Sequence, residues 1–311
     1  MNPWAELTGM LGDPLMQRAL VAALLVGLTA PVIGTYLVQR RLSLLGDGIG
    51  HVALTGVALG WLVGSLAGMV PVDALAIPGA VVAAVVGAVV IELVRERGRT
   101  SGDVALALLF YGGIAGGVLL ISRAGGTSAN LMGYLFGSIS TVTWGDLGLT
   151  AGLTAVVLVV GVGLRTALFA VSQDEEFARA AGLPVRALNL AIAVVAALTV
   201  TVAMRVVGLL LVSALMIVPV AAAQLVTSSF RRTMTVAMLV GAVVCVGGLA
   251  ITYWQDVSPG ATIVVLAIAV YGVLALVGPA WRRTRGAHER RDPHPTLDDD
   301  VQVGLTTGGA R

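Results

Sequence analysis

A chain of 311 residues that is 57% hydrophobic and 12% charged is too apolar for a soluble domain, which would carry about 25% charge. Its mean hydropathy of +0.95 requires a bilayer, and a formal net charge of only +2 gives no reason to expect a nucleic-acid partner. All 19 basic residues are arginine; without a lysine the chain has no Walker-type phosphate loop with which to bind and hydrolyse ATP.

In chain order, the first residues lack a basic stretch followed by a cleavage site, so no removable signal peptide is expected. Apolar runs predict nine membrane-spanning helices, at about 15–38, 45–66, 74–94, 103–122, 146–169, 187–204, 207–227, 234–254 and 260–281. The first contains Pro31, which should kink it, and ends in Arg40 and Arg41. The second opens on Ser43-Leu44-Leu45-Gly46-Asp47-Gly48-Ile49-Gly50-His51. On a helix the i,i+4 spacing sets Asp47 and His51 on one face, one turn apart. Ionisable side chains inside a membrane tend to pair, bind ions or line a pathway. A carboxylate oxygen and a neutral imidazole nitrogen make half a site for a divalent transition metal. The competing reading makes Asp47 the N-cap of this span and His51 a hydrogen-bonded interfacial histidine.

Further on, Asp103 is the expected N-cap of the fourth span, whose Gly112, Gly113, Gly116 and Gly117 allow close helix contact. The link 123–145 is long and Gly-rich; Leu131, Tyr134, Leu135 and Ile139 recur at helical spacing, which predicts a short interfacial or re-entrant helix. After the fifth span, 172–184 reads as a separate helix of about ten residues. Ser172 is its expected N-cap with Glu175 at N3. Asp174, Glu175 and Glu176 suit the positive end of the dipole, and Gly182 with Pro184 closes the helix. Phe177 and Leu183 are its apolar contacts. The seventh span carries Pro219, another expected kink, and the eighth carries Cys245, the only cysteine, read as a core residue. The first 281 residues thus form one all-α polytopic domain, and 282–311, Arg-rich and then acidic, read as a disordered tail. Its His288 and His294 lack companion ligands.

Arginine placement sets the orientation. Arg40 and Arg41, Arg95, Arg97 and Arg99, Arg231 and Arg232, and Arg282, Arg283 and Arg285 follow odd-numbered spans, and Arg165, Arg179 and Arg186 surround the link after the fifth. The opposite links carry Arg123 and Arg205 beside Asp73, Asp146 and Asp256. The N-terminus is therefore expected outside and the C-terminus in the cytoplasm.

Taken in order, these segments resemble the inner-membrane permeases of the zinc/manganese/iron ABC importer family, the ABC-3 family, of the ZnuB and MntB kind. The resemblance spans about 27–277. It rests on Arg41 to His51, on Gly102-Asp103, and on Tyr134-Leu135-Phe136-Gly137-Ser138-Ile139. It rests further on Glu176-Phe177-Ala178-Arg179-Ala180-Ala181-Gly182, similar to the E-x-A-x-x-x-G coupling loop, and on the block Val207 to Pro219. Trp254, Asp256, Pro259 and Gly260 complete it. Two positions depart: Asn130 stands where many relatives carry an acid, and Met216 where leucine is common.

The resemblance implies the membrane subunit of an ATP-driven importer of Zn²⁺, Mn²⁺ or Fe²⁺ in the bacterial inner membrane, not itself an enzyme and holding no resident cofactor. It implies a homodimeric pore, a cytosolic ATPase docked on the 172–184 helix through Asp174, Glu175, Glu176, Phe177, Ala178 and Gly182, and an extracytoplasmic metal-binding lipoprotein or periplasmic protein that delivers the ion. Asp47 and His51 map to the metal path; Asp73, Asp146 and Asp256 are candidate acids of the outer mouth. Only the neutral imidazole ligates, so uptake should fall as His51 is protonated. The rivals are a permease of a vitamin- or siderophore-type importer, a secondary cation transporter, and an intramembrane enzyme with His51 as base and Ser213 as nucleophile. A secondary carrier has no use for a coupling helix, a siderophore permease less reason for the Asp47/His51 pair, and the enzyme lacks a G-x-S-x-G elbow.

Overall fold

A computed structural model describes residues 9–97, 102–125, 133–137, 143–255 and 257–289. Among the described residues, eight helices are long and apolar enough to cross a membrane. They are α1 (Pro14–Gln39), α2 (Leu45–Leu66), α3 (Ala76–Glu96, led by the 3₁₀ turn Val72–Leu75), α4 (Gly102–Arg123), α5 (Trp144–Leu158, continued by a π turn at Val159–Gly163), α8 (Val185–Val206), α10 (Phe230–Trp254) and α11 (Pro259–Glu289). A shorter apolar helix, α9 (Leu209–Val226), stands where the seventh span was expected. Between α5 and α8 lie α6 (Arg165–Gln173) and α7 (Glu175–Ala180).

Local chemistry starts these helices. Asp13 caps α1 by accepting the Leu15 N–H, with Pro14 at the first turn where a missing donor costs nothing. Thr143 and Asp146 form a reciprocal capping box on α5. Ser229 caps α10. Buried threonines are accommodated because each hydroxyl donates one turn back: Thr35 to Pro31 O at 2.7 Å and Thr199 to Val195 O at 2.7 Å. Pro31 and Pro219 both sit within continuous helices.

The most buried span is α1. It packs against α5, α8, α9 and α10, while α2 lies between α3 and α4. The outer helices α4, α5 and α11 leave most of their apolar surface uncovered, as lipid-facing or partner-facing helices do. Alternation of the spans collects the ends of α1, α3, α5 and α9 and the starts of α2, α4, α8 and α10 at one end of the bundle, the arginine-rich end.

Three boundaries differ from the sequence reading. The fifth span ends at the π turn, and α6 then docks Leu168 and Val171 into the core. Ser172 caps nothing: its hydroxyl donates to Leu168 O within α6, and Asp174 is the N-cap of α7, accepting from Glu176 and Phe177 N–H at 2.9 Å each. The expected ten-residue helix is therefore six residues long. The last helix continues to Glu289, so 282–289 are helical where a disordered tail was expected; no proline interrupts that stretch before Pro293. Residues 290–311 lie outside the described residues, as does most of the 123–145 link, of which 133–136 are helical.

Gly208 ties three segments together. It precedes α9 with φ +93, and a β-carbon there would come within 2.4–2.6 Å of backbone atoms of Leu135, Phe136 and Gly137. Gly208→Ala should cost at least about 1–3 kcal/mol from backbone strain alone, before any clash. A lower melting temperature and membrane yield than wild type is expected; wild-type melting would show that the 133–137 contact is dispensable.

Candidate metal centre

Asp47 and His51 occupy the first two turns of α2 on one face. The helix begins at Leu45 with Leu44 in the cap position and no side-chain cap, so Asp47 is not the N-cap. Its Oδ1 lies 3.7 Å from His51 Nε2, too far for a hydrogen bond between them. With metal–ligand bonds of about 2.0–2.2 Å, one ion can touch both atoms across such a gap. The histidine side chain is 5% exposed and the carboxylate 24%, so the pair has a sheltered and an open half.

Three neighbours build the setting. The Ser213 hydroxyl of α9 points at Asp47 Oδ1 from 3.4 Å, long for such a bond. The Phe110 ring of α4 meets the His51 ring edge-on, centroids 4.4 Å apart. Gly113 lets α4 pass the backbone at His51: a β-carbon there would come 2.6 Å from the His51 carbonyl carbon. Just beyond, Thr55 Oγ1 donates to Gly113 O at 2.6 Å. Between α2 and α4 opens a cleft of about 340 Å³ lined by Leu44, Asp47, Leu106, Ala107, Phe110 and Tyr111. Asp47 is the only ionisable carboxylate among those residues.

His51 Nδ1 is buried without a hydrogen-bond partner. Such an orphan costs about 1–3 kcal/mol; it is the ring nitrogen other than the one 3.7 Å from Asp47, so an ion shared with Asp47 through Nε2 would leave it unpaired. Among the described residues no group of three or more His, Cys, Asp or Glu could hold a metal. An ion held by Asp47 and His51 would take two protein ligands from one chain and the rest of its shell from water, carbonyls or a second copy. An open, partial shell suits an ion that must leave again.

The predicted coupling residues divide. Asp174, Glu176, Phe177 and Gly182 are exposed, Phe177 to 68%, while Ala178 is fully buried and roots the helix. Gly182 adopts φ +81, and the bonds Gly182 N–H to Arg179 O and Leu183 N–H to Ala178 O close α7 as expected. Glu175 is half-buried, its side chain 39% exposed. Its Oε1 accepts from Arg40 Nη2 at 2.5 Å and from Asn189 Nδ2 at 3.1 Å. Burial, with help from Arg95, lowers the Arg40 pKa from its usual value, and Glu92 and Glu175 oppose the shift.

The outer acids divide as well. Asp73 is exposed in the 3₁₀ turn before α3. Asp146 is buried, and its Oδ2 accepts from Thr143 N and Oγ1, so this carboxylate serves the start of α5. Asp256 and the Asp103 side chain lie outside the described residues. Sequence reasoning placed Ser213 only as the nucleophile of the rival enzyme reading, and placed Phe110 and Arg40 in no site. Ser213 falls within a recognised block, but nothing in the local pattern links it to Asp47 across 166 positions.

A model of the ABC 3 transport family matches residues 12–278. The chain is 31% identical to the manganese transport system membrane protein MntC of Halalkalibacterium halodurans, over 85% of this chain and 87% of that one. It is 33% identical to the chelated iron transport system membrane protein YfeD of Yersinia pestis, over 85% of each. Its fold superposes on a chain of PsaBC from Streptococcus pneumoniae, solved in complex with Fab, with TM-score 0.76 and 31% identity, covering 87% of this chain and 94% of that one.

Proposed function

Because this chain belongs to the ABC 3 transport family, we propose that it is the membrane-spanning permease subunit of an ATP-driven importer for Mn²⁺, Fe²⁺ or Zn²⁺. It is a multi-pass protein of the bacterial inner membrane. One observation carries the metal reading: a carboxylate oxygen and an imidazole nitrogen 3.7 Å apart beside a cleft, in a chain whose relatives are named for manganese and iron transport.

Two copies form the pore in this reading, and the second Asp47/His51 pair adds the missing ligands. The basic end faces the cytosol, which puts the N-terminus outside and α7 where a cytosolic ATPase can grip it. An extracytoplasmic binding protein hands over the ion on the opposite face, where Asp73 is exposed. ATP hydrolysis belongs to the partner, since the chain has no lysine for a phosphate loop. An O/N pair accepts all three metals, so selection falls to the carrier and to metal availability.

Deleting the gene and measuring cellular manganese, iron and zinc tests this reading. At least one metal should fall severalfold in limiting medium and return on complementation. Unchanged content of all three would contradict metal import.

A further inference from the structure

Arg40 is a buried cation where the coupling segment meets the turn that leads to Asp47. Its side chain is 5% exposed. From the end of α1 it donates to Glu175 on α7 at 2.5 Å and to Asn189 on α8 at 2.9 Å, and Asn189 closes the triangle by donating to Glu175. One turn earlier on the same face of α1, the Tyr36 hydroxyl donates to Gly161 O in the π turn. The stretch from the π turn to α7 is thus held at both ends by the last turns of α1.

The other side of Arg40 is equally constrained. Its N–H bonds Tyr36 O, Leu42 N–H bonds Leu37 O at 2.8 Å, and Leu45 N–H bonds Leu42 O at 3.0 Å. Arg41 sits between them at φ +58, a left-handed conformation uncommon for a residue with a β-carbon. A turn so fully bonded transmits a displacement instead of absorbing it. It ends at Leu44, which lines the same cleft as Asp47.

We propose that the Arg40–Glu175–Asn189 triangle is the mechanical link between the ATPase-docking helix α7 and the metal centre, with Arg40 a positioning residue that moves the Asp47 turn when α7 moves. The guanidinium suits this role because its Nη2 carries two hydrogens and donates to Glu175 and Asn189 at once, from a group that keeps its charge when buried. The other charges around it, Glu92 and Arg95 of α3, bond each other at 3.0 Å and share its buried setting.

This proposal rests on α7 being the docking helix, and the experiment separates the two. Permease and ATPase are co-expressed, purified together and reconstituted in vesicles; ATPase co-purification, ATP turnover and metal ions taken up per ATP are measured. Glu175→Ala should leave co-purification unchanged and lower the ions carried per ATP about tenfold, the scale of an ordinary coupling free energy. Glu175→Gln keeps both acceptor contacts and should retain most of the coupling. Arg40→Met, which keeps a long side chain without the charge or the donors, should behave like Glu175→Ala and supplies the test if that variant accumulates poorly. Wild-type ions per ATP in Arg40→Met or Glu175→Ala would overturn the proposal. So would loss of ATPase co-purification in Glu175→Ala, because it would make Glu175 part of the docking surface itself. If Phe177→Ala leaves ATPase binding intact, the docking assignment of α7 fails instead, whatever the Arg40 variants do.

Discussion

Alanine at Asp47 or glutamine at His51 is expected to lower metal uptake by about 100-fold or more, while expression and assembly with the ATPase stay near wild type. The size follows from chemistry: even the outer partners of metal ligands cost about 10–100-fold when removed, and in the proposed site each of these residues is one of two ligands from one chain. Folding is spared for different reasons at the two positions. Asp47 caps no helix, and its contacts are the long one to Ser213 and the 3.7 Å approach to His51, so its loss removes little stability. His51 is buried against Phe110, and a cavity there would cost stability; His51→Gln fills most of that volume and should be equally inactive. Uptake near wild type in Asp47→Ala and His51→Gln would move the metal path elsewhere.

Truncating Phe177 should weaken ATPase binding by about 30-fold, the effect of losing an aromatic hot spot. A phenylalanine 68% exposed on a short capped helix has no role in the fold of the single chain. Its neighbours show how the surface is built: Ala178 faces the core, Asp174 caps the helix, and Glu176 stands exposed beside the ring. The double variant Phe177→Ala with Glu176→Ala should release the ATPase from a permease that still melts at the wild-type temperature. Titration of labelled ATPase onto the permease in detergent measures it; unchanged affinity would put the docking surface on another element.

The spans were legible because an apolar run of roughly 20 residues has few other uses, and the Asp47/His51 pair because charge inside such runs stands out. Gly182 was legible too, since a positive φ after a short helix favours glycine. The capping residue of α7 was not. Ser172 fits the local pattern, but burial of Leu168 and Val171 carries α6 two residues further and gives the cap to Asp174. Among the three consecutive acids Asp174, Glu175 and Glu176, nothing local says that one caps, one faces Arg40 and one faces solvent. Asp146 poses the same problem: it sits in an outer link by sequence, yet its Oδ2 accepts from both the N–H and the hydroxyl of Thr143. The π turn that ends the fifth span is a long-range feature as well, for the Tyr36 hydroxyl that meets it lies 125 residues away.

The central claim is ATP-driven import of a divalent transition metal through this chain. Its most direct measurement is uptake into vesicles holding the permease and its ATPase, with ATP on the ATPase side and the binding protein, loaded in turn with Mn²⁺, Fe²⁺ and Zn²⁺, on the other. Metal should accumulate against its gradient for at least one of the three, require hydrolysable ATP, and vanish in Asp47→Ala. Accumulation of none of the three by an assembled complex that hydrolyses ATP, or equal accumulation without ATP, would contradict it.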